Sequence, residues 1–265
     1  MVALGKILIT VVAALGAGGT GTPIELQSGA LTAKFSAERG TIRSLAVREH
    51  ELLAGAGQLL VEVDRNPSVA VEPGLAGFRV ERAKGSLTIE GSEPRSGVAV
   101  RAQWIAGKDL ECRLTLTNSK TASTRAEASV ELRLPCVKQT MQMLAPSGDD
   151  HLTVDWARSI AVAYRGDARG LVMPAVTFYR PEDDWGLTAL ADFALPTRGF
   201  EVRIDPVGSV IVVRRVHLRL EPGKPVTVSI ILAGHEGDWR PGLAHVRDRY
   251  PEFFVVADRR VPQLH

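Results

Sequence analysis

The sequence predicts an all-β protein, a large two-sheet antiparallel β-sandwich, with one C-terminal amphipathic helix. Three observations carry this. Short segments of alternating apolar and polar residues recur from Leu31 to Leu232, as expected of strands with one face on a core. Glycine, proline, asparagine and aspartate separate them and supply the backbone angles of tight turns. After Asp238 the period changes from two to about 3.6, so that Trp239, Leu243, Val246 and Tyr250 share one helical face.

The first strands are predicted at Leu31 to Phe35, Thr41 to Val47, Gln58 to Val63, Phe78 to Arg82 and Leu87 to Glu90. Their turns are Glu38-Arg39-Gly40, Ala54-Gly55-Ala56-Gly57, Pro73-Gly74 and Lys84-Gly85-Ser86. Val98 to Ile105, Asp109 to Thr117 and Glu127 to Leu134 are longer and predict a meander within one sheet. From Gln139 to Thr197 the pattern is less regular, and long connections are where sites collect. Strands return at Ser159 to Tyr164, Leu171 to Met173, Val176 to Tyr179, Gly186 to Ala191, Phe200 to Ile204 and Val210 to Val213. A total of roughly sixteen exceeds an immunoglobulin sandwich and points to two larger sheets.

Val216 to Leu220 and Val226 to Leu232 predict a strand pair turned by Glu221-Pro222-Gly223-Lys224, with proline and glycine at the two central positions of a type II turn. Asp238 then caps the helix, Pro241 lies in its first turn, and Pro251 ends it at Tyr250. The apolar face of this helix is either a seam on the sandwich or a patch made for another domain.

Composition excludes several classes. A net charge of +2 from 32 basic and 30 acidic residues gives no footprint for nucleic acid or an anionic membrane. Lys6, the apolar run Ile7 to Ala17 and the Gly/Thr-rich spacer Gly18 to Thr22 read as a signal peptide, too short to span a bilayer. A secreted or periplasmic protein with no stable membrane span after signal removal follows. The organisation is therefore 1–22 signal peptide and spacer, 23–236 sandwich, and 237–265 exit helix and passage. Cys112 and Cys136 sit on apolar strand faces that an antiparallel pairing can oppose; two buried thiols are expected, with a disulfide allowed after export.

Three stretches carry a resemblance to a known family. They are Phe35 to Leu45 with Glu51-Leu52-Leu53, then Met173 to Tyr179 with Asp184 to Thr188, then Gly237 to Arg240 through Arg249 to Phe254. In this order and spacing they resemble the galactose-mutarotase-like β-sandwich, or supersandwich, that precedes the catalytic barrel of many glycoside hydrolases. The resemblance implies a non-catalytic accessory domain, with the barrel carrying the catalytic carboxylates. Free-standing mutarotases share the sandwich and use a histidine acid and a glutamate base. No histidine here has the Asn-x-His-x-Tyr-Phe-Asn setting of that family: His151 follows Asp149-Asp150, and His217 alternates within a strand.

Glu182, Asp183, Asp184 and Trp185 are the candidate sugar contacts, since carboxylates accept sugar hydroxyls and an indole face covers C–H groups. Their competing reading is a solvated acidic loop, because glycosidase chemistry needs two carboxyls facing one bond. Asp150 and His151 form a second candidate, for ligand contact, without a second histidine at metal-ligand spacing. Asp150 and Asp184 would be the loop acids of a free-standing epimerase. No catalytic residue, metal or cofactor is assigned, and the expected partner is carbohydrate. An aromatic content of 5% argues against a stacking platform; Trp104 is expected in the core, Trp156 to be exposed, and Trp239 to dock the helix.

Overall fold

The structure, a computed structural model, describes residues 22–64, 68–119, 125–146, 151–164, 171–195 and 199–254. The signal-peptide reading falls outside these residues. In chain order the strands open with β1 (Ile24–Ser28), β2 (Leu31–Phe35), β3 (Ile42–Val47), β4 (His50–Glu51), β5 (Gln58–Val63) and β6 (Val69–Ala70). A single helical turn, α1 (Val71–Gly74), stands where the Pro73-Gly74 turn is predicted. Then come β7 (Ala76–Ala83), β8 (Ser86–Ser92), β9 (Ala99–Ala106), β10 (Leu110–Thr117), β11 (Ala126–Pro135), β12 (Gln142–Leu144) and β13 (His151–Thr153). The remainder are β14 (Ile160–Tyr164), β15 (Ala175–Arg180), β16 (Trp185–Leu190), β17 (Phe200–Asp205), β18 (Val210–Leu220) and β19 (Pro225–His235), followed by α2 (Trp239–Arg249).

All pairings between these strands are antiparallel, in a nine-stranded sheet β13-β12-β15-β16-β19-β10-β9-β8-β7, a six-stranded sheet β14-β17-β18-β11-β5-β6 and a four-stranded sheet β1-β2-β3-β4. The all-β sandwich with one C-terminal amphipathic helix is thus present, with a third, smaller sheet added. Bridges at Ile42↔Gly57 and Leu53↔Cys136 join the four- and six-stranded sheets. One apolar core runs through all three sheets, containing Phe35, Leu45, Val61, Trp104, Leu114, Leu132, Phe178 and Ile230. Phe35 meets Trp104 with ring centroids 5.3 Å apart.

Several strand ends fall where alternation places them, but two pairings do not. The meander stops after β9 and β10; β11 crosses to the six-stranded sheet, between β18 and β5. Likewise β18 and β19 do not pair. Their turn has Gly223 at φ +69° and Lys224 N–H donating to Glu221 O at 3.1 Å, yet it carries the chain from one sheet to the other. Gly223 N–H bonds Asn118 O at 3.0 Å, tying the turn to the end of β10, while β18 pairs with β11 and β17. Leu171 to Met173 is not a strand: its amides at Leu171 and Val172 bond Ala163 O and Pro146 O.

Cys112 belongs to the nine-stranded sheet and Cys136 directly follows β11 in the other layer, so the strand pairing that would oppose them does not exist; both are buried and they form no disulfide with each other. Burial pushes the Cys136 thiol up to about 12. Trp104 is buried as expected. Trp156 is half-buried, not exposed, because its Nε1–H donates to Gln139 O at 2.9 Å.

Helix α2 lies on the outer face of the nine-stranded sheet, where Val246 and Tyr250 pack with Ala175, Leu190 and Ile231. Asp238 caps it by accepting from Arg240 N–H at 2.9 Å. The buried seam is Gly242, Val246 and Tyr250, four residues apart, whereas Trp239 and Leu243 are half-buried at its margin. Gly242 decides this rotation. A Cβ there would stand 2.4 Å from Thr188 Oγ1, so only glycine lets the helix approach on that side. Among the described residues no helix is long and apolar enough to cross a membrane.

Candidate functional site

The acidic run forms an exposed turn. Pro181–Asp183 make one 3-10 turn between β15 and β16, and Asp184 closes it at φ +55°. Arg180 Nε lies 3.1 Å from Asp183 Oδ2, and Arg48 bridges Asp184, at 3.3 Å, and Glu236. Trp185 corrects the expected sugar platform: it is 1% exposed and lies against Leu45, Leu52, Cys136 and Phe178. The pleat explains this, since the residue that starts β16 on the inward face cannot also cover a ligand outside. Asp150 and the side chain of His151 lie outside the described residues. Glu182, Asp183 and Asp184 therefore come together only as neighbours in one turn.

A better-formed site lies on the outer face of the six-stranded sheet. There a depression of about 280 Å³ is lined by Glu62, Glu127, Ser129, Glu201, Arg203, Arg214 and His217, with Ala128 and Val216 completing it. Alternation sends Val61 and Val63 of β5, Val130 and Leu132 of β11, Val202 and Ile204 of β17, and Ile211 and Val213 of β18 inward. Their neighbours must then point out. Register sets Glu131 opposite Arg214 and Arg214 opposite Glu201, with Ser129 opposite Glu62.

His217 reaches this face through a bulge. Between the pairs Ala128↔Leu218 and Val130↔Arg215, one residue of β11 faces two of β18, and His217 takes up the excess at φ +58°. Its Nδ1 lies 2.9 Å from Glu127 Oε1. A regular strand would give Val216 and His217 opposite faces; the bulge brings both to the same depression.

Electrostatically the face is an alternating ladder. Arg214 Nε lies 2.7 Å from Glu131 Oε1, and its Nη1 3.1 Å from Glu201 Oε2, which Arg203 Nη2 also meets at 2.8 Å. Arg133 joins Glu131, at 3.6 Å, to Asp205, at 2.9 Å. The Glu201 side chain is only 4% exposed, Arg214 13% and Glu131 14%, so these pairs escape much of the solvent screening that weakens surface ion pairs. Among the described residues, Glu62 and Glu127 stand outside these arginine pairs; Glu62 accepts from Ser68 Oγ at 3.4 Å. Fixed carboxylate acceptors beside fixed guanidinium donors suit a ligand rich in hydroxyls, each of which both donates and accepts. The lining holds no Phe, Tyr or Trp ring.

The signal in the sequence was the repeated Glu-aliphatic-Arg triplet, Glu131-Leu132-Arg133 and Glu201-Val202-Arg203, which charges one strand face. The described residues contain no group of three or more His, Cys, Asp or Glu placed to hold a metal ion.

No protein-family model matches the chain, and no curated protein matches it. Solved structures do. The galactose mutarotase related enzyme from Lactobacillus acidophilus matches with TM-score 0.55 at 9% identity, over 81% of this chain and 97% of that one. This chain has the galactose-mutarotase-like fold. The aldose epimerase homologue from C. elegans matches the galactose-mutarotase-like sandwich described here with TM-score 0.56 at 9% identity, over 82% of this chain and 99% of that one. The α-N-acetylgalactosaminidase NagBb from Bifidobacterium bifidum matches with TM-score 0.58 at 8% identity, over 86% of this chain but 39% of that one. The fold is thus shared by free-standing epimerase-like chains and by part of a glycosidase.

Proposed function

We propose that this chain is an exported, non-catalytic carbohydrate-binding sandwich of the kind that accompanies a glycoside-hydrolase domain, and that its sugar site is the depression on the six-stranded sheet. One observation carries the reading: a concave face without Phe, Tyr or Trp in which Glu201 is fixed by Arg203 and Arg214, and Glu127 by His217. Pre-fixed partners lower the ordering cost of binding a small polar ligand. A volume near 280 Å³ suits one sugar unit better than a chain of them. Export rests on Lys6 and the apolar run after it.

A glycan array followed by calorimetry on the free sugars tests this. The expected result is binding that Glu127→Ala or His217→Ala abolishes in folded protein and that Glu182→Ala leaves intact. Binding that survives both of the first two changes would move the site elsewhere; no binding to any sugar would defeat the reading.

The His217–Glu127 contact favours a second reading, a sugar epimerase, because an imidazole and a carboxylate in one depression are an acid and a base. Against it, the two groups are bonded to each other and not spread across a ligand-sized gap. Polarimetry over common aldoses separates the readings: acceleration lost on His217→Ala establishes the enzyme, and rates equal to buffer leave the binding domain.

A further inference from the structure

Helix α2 sits over an imidazole. His235, the last residue of β19, fills the space above Gly186, where a Cβ would stand 2.1 Å from His235 Cε1. From the helix side, a Cβ on Gly242 would stand 2.4 Å from Thr188 Oγ1, 2.8 Å from Thr177 Oγ1 and 2.9 Å from His235 Nε2. One glycine in the sheet and one in the helix therefore form a slot for the ring. We propose that His235 is a proton-controlled latch: neutral, it lets α2 seat on the sheet, and protonated, it releases the helix.

The hydrogen bonds define the latched state. His235 Nδ1 lies 3.2 Å from Glu236 O, which can only accept, so Nδ1 carries the proton. Nε2 is then an acceptor, 3.1 Å from Thr188 Oγ1, and Thr188 in turn lies 2.9 Å from Thr177 Oγ1. Both threonines are buried. A proton added at Nε2 turns that acceptor into a donor, so Thr188 can no longer donate to it and its hydroxyl hydrogen must turn away. The added proton also puts positive charge under the N-terminal end of α2, where the aligned peptide dipoles of the helix are already positive.

The titratable groups that act on the ring are His245 of α2 and Asp238 of the connection before it, with the Glu236 carbonyl beside them. Tyr179 of β15 faces Asp238 and Arg240, whereas Arg249 and Asp192, the latter from the segment after β16, meet at Tyr250, at the far end of the helix. Asp109, in the β9–β10 turn, is 2% exposed at its side chain and is engaged by Arg249 and by His245 Nε2 at 2.9 Å, so its charge serves the later turns of the helix. Burial is the largest influence on His235 and holds it below its ordinary 6.5; the Glu236 carbonyl opposes this, the nearby His245 adds to it, and Asp238 opposes it. A base with a lowered folded-state pKa contributes stability that is complete above 6.5 and is lost as pH falls from there towards the folded value. The apolar hold consists of Val246 and Tyr250 on Ala175, Leu190 and Ile231, with Phe193 stacked on Tyr250. Release uncovers Ala175, Leu190 and Ile231 and frees the chain beyond Tyr250.

Hydrogen exchange of the whole chain, corrected for intrinsic rates, tests the latch. Protection of Trp239 to Arg249 should fall by up to about tenfold per pH unit below 6.5, the limit for one proton, while β9 and β10 stay protected. Constant helix protection from pH 7 to 5 overturns the proposal. His235→Gln, which cannot charge, should flatten the profile, and an unchanged profile in that variant also overturns it. His245→Gln should keep the acid release; its loss there would transfer the effect to the Asp109 pair and sink the latch. Should His235→Gln fail to fold, the imidazole is titrated by NMR in the native chain. A midpoint below 6.5 that coincides with helix release supports the latch, and one at or above 6.5 refutes it.

Discussion

The outer faces of the two large sheets solve opposite problems. On the nine-stranded sheet, Ala175, Leu190 and Ile231 make an apolar strip that α2 covers. On the six-stranded sheet, the corresponding outward positions carry Glu131, Arg133, Glu201, Arg203 and Arg214, and among the described residues no helix packs over them. A covered face needs few contacts but close approach, which is why Gly242 matters there. An open face can hold charge, provided each charge meets its opposite across the strands. The difference teaches how a sheet face is finished: close backbone approach where a helix covers it, and opposite charges in register where it stays polar.

The sharpest way to break this comparison is to unbalance the open face. Arg214→Met removes the cation shared by Glu131 and Glu201, leaving Arg133 and Arg203 as their remaining partners. Removing one member of a buried ion network costs about 3–5 kcal/mol. Urea unfolding measures it, and a loss below about 1 kcal/mol would show the ladder to be a surface feature of little weight.

The covered face should respond next. Gly242→Val forces side-chain atoms against Thr188, Thr177 and His235, and overpacking of this kind costs about 1–3 kcal/mol. Helix α2 should lose exchange protection while the sheet below keeps it. Thermal unfolding together with exchange at Trp239 to Arg249 checks both halves; unchanged protection would mean that the helix slides without penalty.

Much of the fold was legible locally. β2 and β5 begin and end where alternation places them, and the cap at Asp238 and stop at Tyr250 follow from side-chain chemistry. Alternation, however, says that one face of a strand is buried and not which sheet buries it. Hence β11 and β18 were read into the wrong neighbourhoods, and β18, one bulged strand from Val210 to Leu220, was read as two. The depression escaped for the same reason. Its lining comes from β5, β11, β17 and β18, far apart in sequence, and its histidine arrives through a bulge that no short pattern announces. Glu182 to Asp184 stood out only because they are adjacent.

Within the helix, Val246 and Leu243 sharpen the rotation of α2. Val246 is buried, so Val246→Ala, which removes the equivalent of two methylene groups, should cost about 1.5 kcal/mol. Leu243 is half-buried; the 2–5 kcal/mol typical of a core leucine, expected from spacing alone, should shrink to below about 1 kcal/mol. Denaturant midpoints at constant slope give the order, and a larger loss at Leu243 than at Val246 would mean that the helix is turned towards the face predicted by the sequence.

The smallest effect on stability belongs to the site itself. His217 is exposed and meets Glu127 at the rim, so His217→Ala should change stability by no more than about 0.5 kcal/mol. Glycine would gain a contribution that alanine does not, since residue 217 sits at φ +58°, where a residue with a Cβ is strained. His217→Gly should therefore match or exceed the stability of His217→Ala. Both variants nevertheless remove the imidazole from the depression and should abolish sugar binding. Calorimetric binding beside unfolding midpoints for the pair makes the test: unchanged stability with lost binding assigns the bulge to ligand recognition. A stability loss above about 1 kcal/mol in His217→Ala, with binding retained, would make the bulge a structural joint between β11 and β18.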